Sequence, residues 1–146
     1  MKVTTRGRYA VMALVSLAEA SRGNPVPIKG IAERERIPEP YLQQLFARLR
    51  RRNIVKSVRG PGGGFILARH PSRIMVGEII RTAEGKDRGI GCRRAGRVCV
   101  MIEQCRTQEM WEALEARVEE FLDSISIEDL FQGREPGIRE VKEAGL

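Results

Sequence analysis

The chain has 146 residues, 42% of them hydrophobic, and a formal net charge of +7. This length and composition suit one globular domain with a helical extension and argue against wholesale disorder. No segment reaches the roughly 18 uninterrupted apolar residues of a membrane span. The segment from Met1 to Ala20 lacks the basic region, the apolar block and the small-residue cleavage site of a signal peptide, so we expect a cytoplasmic protein.

The charge is divided unevenly along the chain. Residues 1–73 hold 15 Lys and Arg against 4 Asp and Glu, a net of +11, whereas residues 74–146 hold 11 against 15, a net of −4. A basic half joined to an acidic half is typical of a module that binds a polyanion and is linked to a second function. A soluble protein whose basic surface binds no polyanion would carry the same charge. The predicted helices and strands therefore have to distinguish the two interpretations.

Three helices are predicted in the basic half. The first, Thr5 to Ser21, has apolar residues on two sides, so we expect it to lie between the core and another element. The second covers Ile28 to Glu35. The third runs from Glu39 to about Arg52, with Pro40 in its first turn, where a missing N–H does no harm. Its apolar residues follow the i, i+3, i+4, i+7 pattern of one buried face, Leu42, Leu45, Phe46 and Leu49.

A two-stranded hairpin is predicted after the third helix. Ile54–Val58 and Phe65–Ala68 have the composition of strands, and the Gly-rich segment 59–64 between them forms a turn. A phosphate-binding glycine loop is excluded, because it requires a helix after the glycines and a strand follows here. Three helices and a hairpin in this order predict a mainly α protein with a winged helix-turn-helix.

The acidic half is predicted to be mostly helical. A short helix, Val76 to Glu84, precedes an irregular stretch, and a long helix runs from near Ile102 to Ser124. Ser126 and Asp129 match a capping box for one last short helix. Apolar residues of the long helix have the spacing of a coiled-coil seam, namely Trp111, Leu114, Val118, Leu122 and Ile125.

These elements predict three parts of the chain. Residues 1–73 form the winged helix-turn-helix domain, residues 74–132 the linker helix, cysteine loop and dimerisation helix, and residues 133–146 a flexible tail.

The third helix and the hairpin form the predicted DNA-binding surface. Gln43 and Gln44 are candidate base readers, because a Gln side chain can bond bidentately to adenine. The arginines late in the helix suit phosphates, although basic residues there also favour the helix dipole. Consecutive glycines let the hairpin backbone approach a narrow groove, whose negative potential suits Arg59. The predicted DNA-contacting residues are Glu39, Pro40, Tyr41, Gln43, Gln44, Arg48, Arg51, Arg59, Gly60, Gly62 and Gly63.

Three segments resemble the IscR/NsrR family of bacterial transcription regulators. They are Thr5–Ala10, Ile37–Phe46 and Val58–Phe65, and the wing is followed by Val76-Gly77-Glu78-Ile79-Ile80. The resemblance covers residues 1–131. It implies a homodimer that is joined through the long C-terminal helix and binds a palindromic DNA site with one reading helix per half-site.

The three cysteines lie close together in the sequence. Cys92, Cys99 and Cys105 have the spacing C-x6-C-x5-C, and an odd number without a signal peptide argues against a disulfide framework. The neighbouring arginines favour thiolates, which suits metal binding or redox chemistry. Zinc prefers ligand pairs at shorter spacing, so it ranks below an iron–sulfur cluster. A metal-free thiol switch is a third interpretation, whereas burial as three small apolar side chains fits poorly with a segment so rich in Gly and Arg.

The resemblance implies that Cys92, Cys99 and Cys105 ligate an iron–sulfur cluster, commonly [2Fe-2S]. Such a cluster needs four ligands. Two features depart from the IscR-like pattern: the first gap is six residues instead of five, and Gln108 stands where a histidine is expected.

Other positions also leave the fourth ligand open. The only histidine, His70, follows the wing, and the start of the first helix carries Arg6 and Arg8 in place of the carboxylate that other relatives use. The nearest carboxylates to the last cysteine are Glu103 and Glu109.

The sequence and the resemblance together predict a dimeric transcriptional repressor or dual regulator whose DNA affinity or specificity depends on a cluster at the three cysteines. A cluster-free, zinc-binding or thiol-redox regulator is the alternative, and a non-regulatory nucleic-acid-binding module is a third. The sequence shows no catalytic His/Cys or paired-carboxylate arrangement, so we do not expect an enzyme.

Overall fold

The computed structural model describes residues 3–85, 93–94, 97–98 and 105–134. Within these ranges the protein is mainly helical, as predicted, and no helix is both long and apolar enough to cross a membrane. The elements in chain order are α1 (Thr5–Ser21), α2 (Ile28–Glu35), α3 (Glu39–Arg51), β1 (Val55–Val58), β2 (Gly64–Leu67), a 3-10 turn (Pro71–Arg73), α4 (Val76–Glu84), β3 (Arg93–Arg94), β4 (Arg97–Val98), α5 (Gln108–Asp123) and α6 (Ile127–Phe131).

The first three helices begin and end close to the predicted residues. The Thr4 side chain accepts a hydrogen bond from the backbone N–H of Arg6 and caps α1. Arg36 ends α2 in the left-handed region at φ 55°, which turns the chain towards α3. Pro40 lies in the first turn of α3, as predicted, and α3 ends one residue earlier than expected.

Helix α1 lies at the centre of the core. Ala10, Ala13, Leu14 and Leu17 are fully buried, and they share one apolar cluster with side chains of α2, α3, α4 and α6. Val11 on the second side packs against a smaller cluster formed from α4 and the chain that follows α5. Helix α1 is thus packed on both sides, as predicted, but the second side is only half-buried. Since α4 and α6 belong to the same core, that core extends beyond residue 73.

The hairpin is an antiparallel pair whose register joins Val55 to Leu67 and Val58 to Gly64. Phe65 binds it to the rest of the protein in two ways. Its ring packs edge-on against Phe46 with the ring centroids 4.9 Å apart, and its backbone exchanges two hydrogen bonds with Val26. Gly64 lies so close to the Val26 carbonyl that a Cβ would collide with it. The wing is therefore held on both α3 and the segment before α2.

Helix α5 is shorter than predicted. It begins at Gln108 instead of near Ile102, because residues 105–107 form a turn in which the Gln108 N–H donates to the Cys105 carbonyl at 3.3 Å. Thr107 is the N-cap residue of α5, although its side chain makes no capping hydrogen bond. Cys105 therefore does not share a helix face with Glu109. The predicted residues 102–104 lie outside the described part of the chain.

The C-terminal end of α5 is fixed to α4. Arg81 forms a two-bond salt bridge to Asp123, with nitrogen–oxygen distances of 2.7 and 3.0 Å. Gly77 allows this close approach, because a Cβ there would collide with the Asp123 carboxylate. Two backbone hydrogen bonds then join residues 74–76 to the chain after α5. The capping box of α6, with Ser126 and Asp129, is present as predicted.

A buried carboxylate joins the end of α4 to the start of α1. Glu84 is only 8% exposed, and its Oε1 accepts hydrogen bonds from the Thr4 N–H at 2.8 Å, the Thr4 hydroxyl at 2.6 Å and the Gly7 N–H at 3.1 Å. Burial alone would raise the pKa of Glu84, but these hydrogen bonds favour the charged form and hold the pKa below its ordinary value. The Glu84 charge therefore stabilises the N-terminus of α1.

Replacing Glu84 by Gln removes that charge. We expect Glu84→Gln to lower the free energy of unfolding by about 1–3 kcal/mol at neutral pH, because donors that are buried against a carboxylate lose their charged acceptor. The Glu84 charge contributes its full stability above the unfolded-state pKa of about 4.3, and this contribution is lost as the pH falls through the lower folded-state pKa.

Urea unfolding of the wild type and Glu84→Gln over a series of acidic pH values measures this effect. The difference between the two proteins should disappear on acidification. The control is Glu33→Gln, since the Glu33 side chain is 70% exposed and its ion pair with Lys29 is 4.0 Å long. A Glu84→Gln difference that stays constant down to acid unfolding would contradict the prediction.

Candidate DNA-binding surface and cysteine region

Helix α3 has one buried and one exposed face. Its four predicted core residues are buried, and Pro40, Gln43 and Gln44 are exposed near the N-terminal end. The Gln43 amide donates to the Glu39 carboxylate at 3.1 Å, which pairs the two side chains on this surface. Hydrogen-bonding groups at the N-terminal end of an exposed helix face are the kind that reach base edges in a major groove. We call α3 the reading helix.

Tyr41 and the arginines of the reading helix have different surroundings. Tyr41 is half-buried, with its ring edge-on to Tyr9 at 6.0 Å between centroids. Arg51 is exposed, and its Nε donates to the Ala47 carbonyl of its own helix at 3.3 Å. Arg48 is half-buried and reaches α4, where its Nη1 donates to the Ala83 carbonyl at 2.7 Å. Arg48 and Arg51, both predicted to contact DNA, therefore differ, because Arg48 is bound to another helix and Arg51 is exposed.

The turn of the wing presents backbone to the outside. Gly60 and Gly62 adopt φ values of 100° and 72°, which side chains other than glycine rarely accept, and the Gly63 N–H donates to the Gly60 carbonyl at 2.9 Å. A Cβ at Gly63 would collide with the Val58 carbonyl. Arg59 is exposed at the base of the turn. Because most residues of this turn are glycines, its backbone can lie flat against a nucleic-acid backbone.

An apolar hollow lies between the reading helix and the wing. Its lining residues are Ile28, Gln43, Ala47, Arg50 and Phe65. Apolar groups beside a hydrogen-bonding Gln are the combination that receives a thymine methyl group in a major groove. The sequence did not predict this hollow, because it depends on how closely β2 approaches α3.

Only part of the cysteine region is described. Cys92 and Cys99, two of the three predicted ligands, lie outside the described residues. In sequence they directly flank the short antiparallel pair of β3 and β4, in which Arg93 is paired with Val98. Cys105 is half-buried just before α5, with its Sγ 3.3 Å from the Thr107 hydroxyl. Among the described residues, no three His, Cys, Asp or Glu side chains lie close enough together to hold a metal ion.

Two residues considered for the fourth ligand have other partners. Gln108 is the first residue of α5, and its amide donates to Glu112 at 2.9 Å. His70 caps the 3-10 turn, with its Nδ1 2.7 Å from the Ser72 hydroxyl, and lies on the surface. Glu109 is exposed in the first turn of α5, and Glu103 is outside the described residues.

Sequence reasoning missed Glu84 and the pair formed by Arg81 and Asp123. Thr4 and Glu84 are 80 positions apart, and Arg81 and Asp123 are 42 positions apart, so no local pattern links them. A Glu at the end of an apolar helix that is followed by Gly is the only local signal at Glu84, and it equally describes a solvated residue.

Known proteins match this chain over nearly its whole length. The family described as "Rrf2: Iron-dependent Transcriptional regulator" matches residues 3–133. The HTH-type transcriptional regulator IscR of Xenorhabdus nematophila is 42% identical over 135 residues, which cover 92% of this chain and 82% of the relative. IscR of Escherichia coli K12 (DH10B) is 40% identical over 135 residues, 92% of this chain and 83% of the relative.

Solved structures that superpose on this chain also belong to transcriptional regulators. T. potens IscR superposes with a TM-score of 0.74 at 42% identity, covering 92% of this chain and 89% of that one. CymR, the global cysteine regulator of B. subtilis, superposes with a TM-score of 0.76 at 34% identity, covering 92% of this chain and 99% of that one. These relatives are transcriptional regulators and not enzymes, in agreement with the sequence prediction. This chain belongs to the Rrf2 family and is an IscR-type, DNA-binding transcriptional regulator.

Proposed function

We propose that this regulator is a dimeric repressor whose affinity for DNA is controlled by an iron–sulfur cluster held by Cys92, Cys99 and Cys105. The observation that carries the proposal is the placement of the cysteines. In the sequence, two of them flank the short pair of β3 and β4 and the third lies three residues before the start of α5. In chain order the three ligands therefore fall between the reading domain and the long helix. The protein acts on DNA in the cytoplasm.

The proposed DNA contacts divide between bases and backbone. Gln43 and Gln44 read base edges, with Glu39, Pro40 and Tyr41 at the groove entrance. Exposed Arg51 contacts phosphate, and the wing enters the minor groove beside it through Arg59 and the backbone of Gly60, Gly62 and Gly63. The support is the position of these residues on one helix and one turn that Phe65 and Phe46 hold together, where Gln43, Gln44 and Arg59 are exposed.

The chemistry of the cysteines fits a cluster. Three thiols within 14 residues supply three soft ligands, and the half-exposed Cys105 is reachable from solvent. A bound cluster supplies a redox-active centre that iron, oxygen or nitric oxide can alter. We propose the [2Fe-2S] type. Three thiolates leave one of four ligand positions to another group, and Glu109 is the nearest carboxylate in sequence among the described residues.

The dimer is proposed from the exposed apolar side chains of α5. Met110, Trp111, Leu114 and Phe121 are between 38% and 54% exposed. Of the predicted seam, Leu122 and Ile125 instead pack on α4 within one chain. The remaining apolar surface is covered when a second copy packs along α5, as the family resemblance implies. A two-fold dimer binds a palindromic site with one reading helix in each half-site.

The base-reading proposal is tested by alanine substitution. We expect Gln44→Ala and Arg59→Ala to weaken binding to the protein's own promoter by about 1–3 kcal/mol each, because each removes a groove contact. The control is Arg134→Ala, whose guanidinium is 62% exposed beside Asp129 on α6. Fluorescence anisotropy at fixed salt measures all three, and equal losses from all three would refute the assignment.

The ligand proposal is tested by replacing Cys92, Cys99 and Cys105 together by Ala. Anaerobically purified wild type should contain iron and sulfide and show visible absorption, and the triple variant should contain neither. A triple variant that keeps the wild-type iron and sulfide content rules out these ligands. Zinc in the wild type, or no metal at all, would favour the zinc or thiol-switch alternative.

The dimer proposal is tested by placing a charge on the exposed face of α5. We expect Leu114→Glu to shift the protein from dimer to monomer in sedimentation equilibrium, because a buried unpaired carboxylate in an apolar interface is strongly unfavourable. Ala116→Glu is the matched control, since Ala116 is exposed on the opposite side of the same helix. If both variants remain dimers at the same concentration, the dimer does not use this face.

A further inference from the structure

The last turn of α4 contacts two functional parts of the protein at once. The Ala83 carbonyl accepts the hydrogen bond from Arg48 of the reading helix, and the next residue, Glu84, accepts three hydrogen bonds from the start of α1. The Ala83 side chain is fully buried in the main core. The chain leaves this turn at Gly85, and Cys92 follows seven residues later.

The hydrogen bond from Arg48 is of a strong kind. The donor is charged, the distance is 2.7 Å, and the acceptor is one of the last carbonyls of α4, which have no partner within their own helix. A guanidinium at a helix C-terminus also interacts favourably with the helix dipole. This contact fixes the middle of the reading helix to the end of α4, 35 positions away in sequence.

Glu84 prevents the end of α4 from moving alone. Its carboxylate is buried against the backbone of α1, the central helix of the core. A Cβ on Gly7 would come within 2.9 Å of the Glu84 Oε1, so glycine at this position leaves room for the carboxylate between the two helices. A displacement of the last turn of α4 therefore acts on α1 and on the reading helix together.

We infer that Arg48 is a positioning residue and not a phosphate contact, and that the last turn of α4 transmits the state of the cysteine segment to the reading helix through it. The first part rests on the geometry of Arg48 and Ala83. The second part rests also on the proposed function, because it requires that the cysteines control DNA binding.

A salt series separates positioning from phosphate contact. Arg48→Met keeps an apolar stem of similar length and removes the guanidinium. We expect about a tenfold loss of specific affinity, an unchanged affinity for unrelated DNA, and an unchanged slope of log K against log salt. Arg51→Met is the matched comparison, and it should lower both affinities and reduce the slope by about 0.9, as the loss of one phosphate contact does.

If Arg48→Met reduces the slope and the non-specific affinity as much as Arg51→Met does, Arg48 contacts phosphate and the inference is wrong. Thermal unfolding of each variant ensures that the comparison uses folded protein. A variant with native melting and native specific affinity would overturn the positioning role as well.

A double-mutant cycle tests transmission. Cys92→Ala is placed in the wild type and in Arg48→Met, and the change in specific DNA affinity is measured in both after anaerobic purification. In the Arg48→Met background, we expect the change in specific DNA affinity caused by Cys92→Ala to be at least about threefold smaller than in the wild type, because the two residues act through one contact. An effect of equal size in both backgrounds overturns transmission through Arg48.

A Cys92→Ala variant with wild-type affinity in the wild-type background refutes cysteine control itself, and transmission with it. The salt series still decides the positioning role in that case. Hydrogen exchange gives a readout that does not depend on DNA, since amides of the reading helix should exchange faster in Arg48→Met than in Arg51→Met.

Discussion

The packing of α1 against α4 is the contact on which the rest of the structure depends. Ala10, Ala13 and Leu14 bury one face of α1 completely, and Glu84 fixes the N-terminus of the same helix with a buried charge. The other elements are arranged around this pair. The reading helix, α6 and the wing all contact the core that α1 organises, and α5 is fixed to the outer side of α4 by Arg81 and Asp123.

Polar groups refine an arrangement that apolar burial makes possible. The apolar clusters bring α1, α3 and α4 together without fixing their relative rotation, because apolar packing is only weakly directional. Directional bonds at the two ends of α4 then select one arrangement. The Arg81 salt bridge defines its contact with α5, and the bridge from Met75 to Ser126 defines its contact with the start of α6. Ala83 and Glu84 define its contacts with α3 and α1.

Local signals predicted the elements well. The spacing of Leu42, Leu45 and Leu49 predicted the buried face of the reading helix, and Ser126 with Asp129 predicted the start of α6, because periodicity and caps involve residues within a few positions. The beginning of α5 was predicted too early, since an apolar pattern that continues towards Ile102 does not reveal the turn at residues 105–107.

Long-range polar contacts could not be predicted in this way. Arg48 and Arg51 lie in the same basic end of the reading helix, and only the position of α4 distinguishes an arginine that bonds to another helix from one that is exposed. Glu84 likewise depends on the approach of Gly7 and Thr4 from the other end of the domain. The cysteines were recognised because three thiols in a short segment form a pattern in the sequence itself.

The glycine turn of the wing has a consequence for how such a regulator finds its site. Gly60, Gly62 and Gly63 offer only peptide groups, which are the same whatever base pair lies beneath them. In the proposed complex these peptide groups gain the same energy at every register along a duplex, whereas Arg59 at the base of the turn favours a narrow groove. Under the proposed function, the glycine turn therefore favours diffusion along DNA, and arrest at the site is left to Arg59 and to the glutamines of the neighbouring helix.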